Sequence, residues 1–455
     1  MDIHFYRWMS IFYIMIDFLS IFESPLSWLS ALAFLVIILL IYNNEKYSRY
    51  SNIVGLSSML VLTVLIAIEG TWPISLHHTL PFIILSFPFL FTLASTAIND
   101  IIFSFSKTKP TANSQLSILN CQLKKILCHT GAFIALFAMF FGAPDLQKGQ
   151  VIIYREGTSR IAYTEDHKPM ALPFELQLNN FKIDYYEDNV SPKQYTSTFT
   201  LASITHPDEQ AVLTTSVNHP AYYKGYRFYQ DSYDRAEQRF SVIKIVRDPW
   251  YPIVLIGFVL LALGSVLSIA KSWQLSRLLP VVVILTAFFV FITIRKINFG
   301  HLMPALRSYW FVPHLIIYMV AYALMAISLF IHAANYLRKH FARQMVNRQS
   351  SIVNCQLEKS LFSTSSSLLI IGMLCGAVWA KQAWGDYWTW DAKENWAAVT
   401  WLLSVAATHA ELFSKKTTIL RIFFMILSFI AIQITWYGVN HLPSANRSLH
   451  TYTRK

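Results

Sequence analysis

Within the segment Trp384-Gly385-Asp386-Tyr387-Trp388-Thr389-Trp390-Asp391, followed by Trp396, three tryptophans fall in seven positions of a polar-edged loop between two apolar runs. Indole is large, flat and amphipathic, so such a cluster suits a membrane interface or a platform for a large planar ligand. An aromatic belt accounts for a lone tryptophan but not for the interleaved Gly385 and Asp391. Histidines bracket the loop: His314 upstream, His409 and His450 downstream. Indoles that hold a macrocycle flat, with imidazoles as axial ligands, point to haem.

The elements that must position these groups are membrane spans. Of the 455 residues, 55% are hydrophobic, 15% aromatic and only 14% charged, the composition of a polytopic membrane protein. The net charge of +12 invites a nucleic-acid reading, but the lysines and arginines fall between apolar spans, so topology explains them and no nucleic-acid partner is expected. Cys121, Cys128, Cys355 and Cys375 form no CxxC pair and no zinc-like set, and no CxxCH is present. Neither a disulfide framework nor a covalently attached c-type haem is expected.

Apolar runs of spanning length lie near 27–43, 52–68, 80–97, 127–143, 249–270, 279–294, 310–334, 361–380, 396–413 and 418–437, which predicts about ten transmembrane helices. The run Met9–Phe22 is short and interrupted by Asp17, which suits an interfacial helix, a further span or a signal-like segment; with no convincing small-residue cleavage site after it, it is expected to be retained. Basic residues cluster in alternate short loops: Lys46 and Arg49; Lys107, Lys109, Lys124 and Lys125; Lys271 and Arg277; Arg338 to Lys359; Lys415 and Lys416. Those loops are assigned to the cytoplasm, and 69–79, 144–248, 295–309, 381–395 and the tail after Tyr437 to the outside. The tryptophan loop, His314 and His450 then share the outer face. Between about 145 and 248, alternating segments such as Gln150–Tyr154, Glu175–Leu178 and Phe181–Tyr185 predict a small β-rich external domain. The expected fold is therefore a polytopic α-helical membrane protein carrying that domain, divided at 1–143, 144–248, 249–294 and 295–455.

The segment WGDYWTWDAKENWAAVTWL (384–402) resembles the tryptophan-rich signature of the CcsA (ResC) subunit of System II cytochrome c biogenesis. MPALRSYWFVPH (303–314) is similar to the stretch with that subunit's first external histidine, and SLHTY (448–452) to its terminal histidine motif. VNHPAYYKGYRFYQDSYD (217–234) and LPFELQLNNFKIDYY (172–186) look like the CcsB (ResB) subunit. The chain thus resembles a fused CcsB–CcsA protein, compact for such a fusion.

The resemblance implies a cytochrome c haem lyase in the bacterial cytoplasmic (inner) membrane. It would carry haem b outward and join it to the CxxCH cysteines of secreted apocytochrome c, with thiol-reducing maturation proteins and membrane lipid as partners. It implies axial ligation of the haem iron by the external pair His314 and His450, and by an intramembrane pair that maps onto His78 and His409, with His77 a possible substitute for His78. Trp384, Trp388, Trp390 and Trp396 would shield the ring and Gly385 would let backbone approach it. Asp391 serves either as an acceptor that fixes the loop or an imidazole tautomer, or as a helix cap. His409 on its apolar span is read as a ligand against the alternative of a packing histidine. His129, near a cytoplasmic helix start, and His219, His301 and His441 are read as loop or interface residues, with His441 the first alternative to His450 as a ligand. Two rivals remain: a haem exporter without lyase chemistry, and a dihaem b-type electron-transfer subunit, although no span carries two histidines thirteen or fourteen residues apart.

Overall fold

The computed structural model describes residues 26–42, 45–106, 112–204, 208–270, 302–341, 348–410 and 417–447, together with positions 284 and 287. His450, the run Met9–Phe22, nearly all of the span read at 279–294 and the loop bearing Lys415 and Lys416 lie outside these residues. Helices α1 (Leu26–Tyr42), α2 (Glu45–Thr71), α3 (Leu80–Ser106) and α4 (Ala112–Gly142) precede the sheet; α5 (Tyr251–Ala270), α6 (Phe311–Phe341), α7 (Arg348–Trp384), α8 (Ala392–Thr408) and α9 (Thr417–Trp436) follow it.

Seven of the described helices are long and apolar enough to cross a membrane, against the ten expected. Two of the three uncounted spans fall short for physical reasons. Helix α1 is apolar but only 17 residues long. Helix α8, also 17 residues, starts at a cap at Asp391, ahead of the run read at 396–413, and closes at His409; the run at 279–294 lies outside the described residues. Conversely, α4 begins at Ala112, because the polar stretch before residue 127 continues the same helix.

The strands β1 (Gln147–Tyr154), β2 (Ser159–Tyr163), β3 (Pro169–Tyr185), β4 (Pro192–Ser203), β5 (Gln210–Ser216), β6 (Ala221–Tyr223), β7 (Tyr226–Tyr233) and β8 (Phe240–Arg247) form one antiparallel sheet, ordered β5-β4-β3-β2-β1-β8-β7-β6. The segments read as separate strands at 175–178 and 181–185 are one strand, bent by an irregularity between Leu178 and Asn180. Edge strands β5 and β6 are successive in sequence, so the sheet curls until its edges meet. Ser216 bridges His219, and Thr215 Oγ1 donates to the Phe228 carbonyl at 2.7 Å. The roll encloses Val151, Ile153, Leu176, Phe199, Leu201, Phe228 and Ile243, all buried.

The bundle gives its closest helix contact to α4 and α5, which flank the sheet in sequence. A Cβ on Gly131 would lie 2.4 Å from the Leu261 amide nitrogen, and one on Gly257 would lie 2.5 Å from that of Ala135. Backbones approach this closely in membranes only where side chains are small. Where the chain leaves and re-enters the bundle, the Trp250 indole donates to Asp145 at 2.7 Å. Gly257→Val is expected to lower thermal stability in detergent by about 1–3 kcal/mol through overpacking, whereas Gly438→Ala, whose nearest neighbours stand at 3.5 Å, should be near neutral.

Candidate haem-handling site

The loop between α7 and α8 is set by two residues in the left-handed region, Gly385 at φ +89° and Trp390 at φ +58°. A side chain at 385 would also meet Val246 of β8 at 2.8 Å and Tyr229 of β7 at 3.0 Å, so the sheet presses directly on the loop. Helix α8 then begins with a capping box: Asp391 Oδ1 accepts from the Lys393 amide at 2.8 Å, and Glu394 takes the amides of Thr389 and Asp391. Asp391 is therefore the helix cap. Asn395 Nδ2 holds the Trp390 carbonyl at 3.0 Å.

The two bends send the indoles in different directions. Trp384 stays on α7 and packs with Trp379 (5.9 Å between centroids), Leu306 and Phe311. Trp388 meets Trp390 edge-on at 6.4 Å. Trp390 lies flat against the His77 ring, 4.3 Å away at 4°. Trp396 packs with Ile66 and Val399 and against Gly70, its buried Nε1 without a hydrogen-bond partner.

Buried charge ties this loop to the sheet. Asp386 is 6% exposed, with Lys148 of β1 at 2.6 Å on one oxygen and Lys244 of β8 at 2.8 Å on the other. Burial by itself would raise the Asp386 pKa; the two lysines outweigh it and hold the carboxyl below its usual range. Beside it, Lys381 of α7 pairs with Asp248 at 2.6 Å. The sheet also grips the segment leading to His314: Asn218 Nδ2 donates to the carbonyls of Pro304, Ala305 and Arg307 at 2.9–3.2 Å, and Tyr186 to that of Leu302. Trp379 Nε1 adds a bond to Ala305 O at 3.1 Å.

His314, in the first turn of α6, hydrogen-bonds the Gly372 carbonyl through Nδ1 at 2.8 Å and abuts Gly376 and Tyr318. A carbonyl only accepts, so Nδ1 carries the proton and a neutral ring has its lone pair on Nε2, the form that ligates a metal. The chain described after α9 folds back onto α2, where Ser444 donates to Gly70 O at 2.6 Å.

The second expected pair does not assemble. His78 lies in the loop before α3, its ring 3.9 Å from that of His77, on the same end of the molecule as Trp390. His409 is the C-cap of α8, about 25 Å away along 17 residues of helix. What faces His409 is His129 of α4, with ring centroids 6.3 Å apart. His129 Nδ1 bonds Asp100 of α3 at 2.6 Å and His409 Nδ1 the Val405 carbonyl at 2.9 Å. With Nδ1 as the donor, a neutral ring at either position has its lone pair on Nε2. Two metal–nitrogen bonds of about 2 Å plus the half-width of each ring put axial imidazole centroids roughly 6 Å apart, close to the separation of these two rings, whose planes are tilted at 56°. His129 was hidden because the polar residues before 127 concealed a continuing helix; its signal was a lone imidazole on an apolar span, with Asp100 a lone carboxylate on another.

Residues 252–445 match the model of the "Cytochrome C assembly protein" family, and residues 121–239 that of the "ResB-like family". The cytochrome c biogenesis protein CcsA of Pyropia yezoensis is 30% identical over 220 residues, which are 38% of this chain and 67% of that protein. This chain belongs to the CcsA family. CcsA of Guillardia theta is 34% identical over 173 residues (33% of this chain, 56% of that protein), and CcsA of Prochlorococcus marinus strain AS9601 is 29% identical over 204 (38% and 64%). The chain spans a little over half to two thirds of the length of these relatives.

A ResB-like region and a CcsA-like region are thus fused in one chain, and the contacts described above join them. Lys148 and His129 belong to the first; Asp386, His314 and His409 to the second.

Two outcomes follow. Gly385→Ala, strained by its φ and by Val246, should cost about 1–3 kcal/mol and loosen the loop, read as faster proteolysis at 384–390. His78 is pushed down from 6.5 to about 4, by desolvation first, then by His77 and Lys148, with Asp166 opposing. A histidine with a depressed folded pKa contributes stability that is whole above pH 6.5 and lost as pH falls toward 4. The difference in melting temperature between pH 7.5 and pH 5 should therefore shrink in His78→Gln.

Proposed function

We propose that the chain is a holocytochrome c synthase, a haem lyase of the bacterial cytoplasmic membrane, with haem b as its cargo and substrate. The observation that carries this reading is His409 facing His129 across 6.3 Å, at the end of α8 opposite the tryptophan loop. An imidazole pair with both Nδ1 atoms tied down suits reception of haem near the inner face, so His129 takes the place beside His409 that the resemblance gave to His78. His314 and His450 form the outer axial pair. Trp388, Trp390 and Trp396 wall the ring, while Trp384 fixes the segment bearing His314. His78, neutral and beside His77, belongs to the outer end.

The chain divides its labour as 1–143 and 249–294 for the membrane frame, the first of these also supplying His129, 144–248 for the ResB-like sheet on the outer face, and 295–455 for the other haem-handling residues. Apocytochrome c is the acceptor, kept reduced by thiol-reducing partners. Each CxxCH thiol adds across a haem vinyl group: a sulfur–carbon bond forms, the thiol proton passes to the other vinyl carbon, and no net oxidation occurs. The imidazoles fix the iron so that the vinyl edge, not the face, meets the thiols.

Coexpression with a reporter apocytochrome, in a host stripped of its own maturation genes, tests the proposal. Haem should stay on the reporter after denaturation, and His129→Gly or His409→Gly should cut both that yield and the haem copurified with the chain. Haem that copurifies normally with no haem on the reporter would instead mark an exporter.

A further inference from the structure

The loop carrying His77 and His78 is held by a buried acid that the haem reading does not use. Glu69, 5% exposed at the end of α2, accepts the amides of Leu76 and His77 through Oε2, each at 3.2 Å, and the His77 Nδ1 proton through Oε1 at 2.5 Å. The ring so fixed is the one that lies parallel to Trp390. Trp390 is the tryptophan whose backbone is left-handed, a conformation a large side chain keeps only where its surroundings enforce it. Asn395 holds its carbonyl and Phe82 meets its ring edge-on at 5.5 Å, but the flat contact comes from His77.

We infer that Glu69 and His77 are positioning residues that set the plane of the Trp390 indole: the carboxylate fixes the imidazole, and the imidazole fixes the indole. The relay crosses the fold, because Glu69 and His77 lie near the N-terminus and Trp390 in the CcsA-like region. It requires a flat ring at position 77 rather than a ligating nitrogen. The role of Trp390 as a wall for haem rests on the function proposed above; the relay itself does not.

Fluorine NMR of the full chain in lipid nanodiscs, labelled with 5-fluorotryptophan, reads the relay without reference to activity, Trp390→Phe identifying the resonance. The Trp390 signal should move in His77→Ala and in Glu69→Gln, stay in place in His78→Ala, and move no further in the double variant. Copurified haem should fall by roughly two- to ten-fold in His77→Ala, the scale of one lost aromatic pair, and return to within about two-fold in His77→Phe. A Trp390 resonance unmoved by His77→Ala, or a His77→Phe variant as deficient in haem as His77→Ala, would overturn the relay. A resonance that moves as described in a protein that never retains haem would support the relay and remove the haem reading instead.

Discussion

Asp386, a carboxylate almost wholly removed from water and gripped by one lysine from each of two adjacent strands, is the contact on which the arrangement of the outer face depends. Burying a charge is costly, and removing one partner of a buried pair typically costs about 3–5 kcal/mol because the other is stranded. Such a contact is directional. It brings the sheet close enough that only glycine fits at 385, and the bends at Gly385 and Trp390 then aim Trp388 and Trp390 away from Trp384. Lys381 with Asp248 closes the same junction at the point where the chain re-enters the bundle. The ResB-like sheet is therefore a structural wall of the CcsA-like site.

A second constraint runs along α8. Its start is fixed by the capping box and its end by His409, so one rigid helix of 17 residues sets the distance between the tryptophan loop and the His129–His409 pair. The imidazoles at the two ends share a design: His314 and His409 donate through Nδ1 to backbone carbonyls, and His77 and His129 to carboxylates. A tied Nδ1 fixes both ring orientation and tautomer, which is what second partners of metal-ligating histidines do.

The spans with long apolar runs, the β-rich insertion and the tryptophan loop were legible because hydrophobic periodicity and residue type are local signals. The histidine partnership was not. Apolar length marks where a membrane begins, not where a helix begins, so a start at 127 placed His129 at a helix end although α4 opens at Ala112. His78 was joined to His409 by resemblance alone, and the bundle puts them at opposite ends of α8. The clamp on Asp386 joins positions 148, 244 and 386, and no spacing rule links residues so far apart. The same holds for Glu69, whose meaning depends on His77 folding back over it.

The central claim is that the charge clamp holds the tryptophan loop against the sheet, and a double-mutant cycle on Asp386 and Lys244 tests it most directly. Hydrogen exchange across residues 384–396 would be followed in Asp386→Asn, Lys244→Met and the pair together. The account predicts that each single change deprotects the loop and that the double variant is little worse than Asp386→Asn alone, because that change already breaks the pair with Lys244 along with the one to Lys148. Protection unchanged in Asp386→Asn, or effects that simply add, would contradict it.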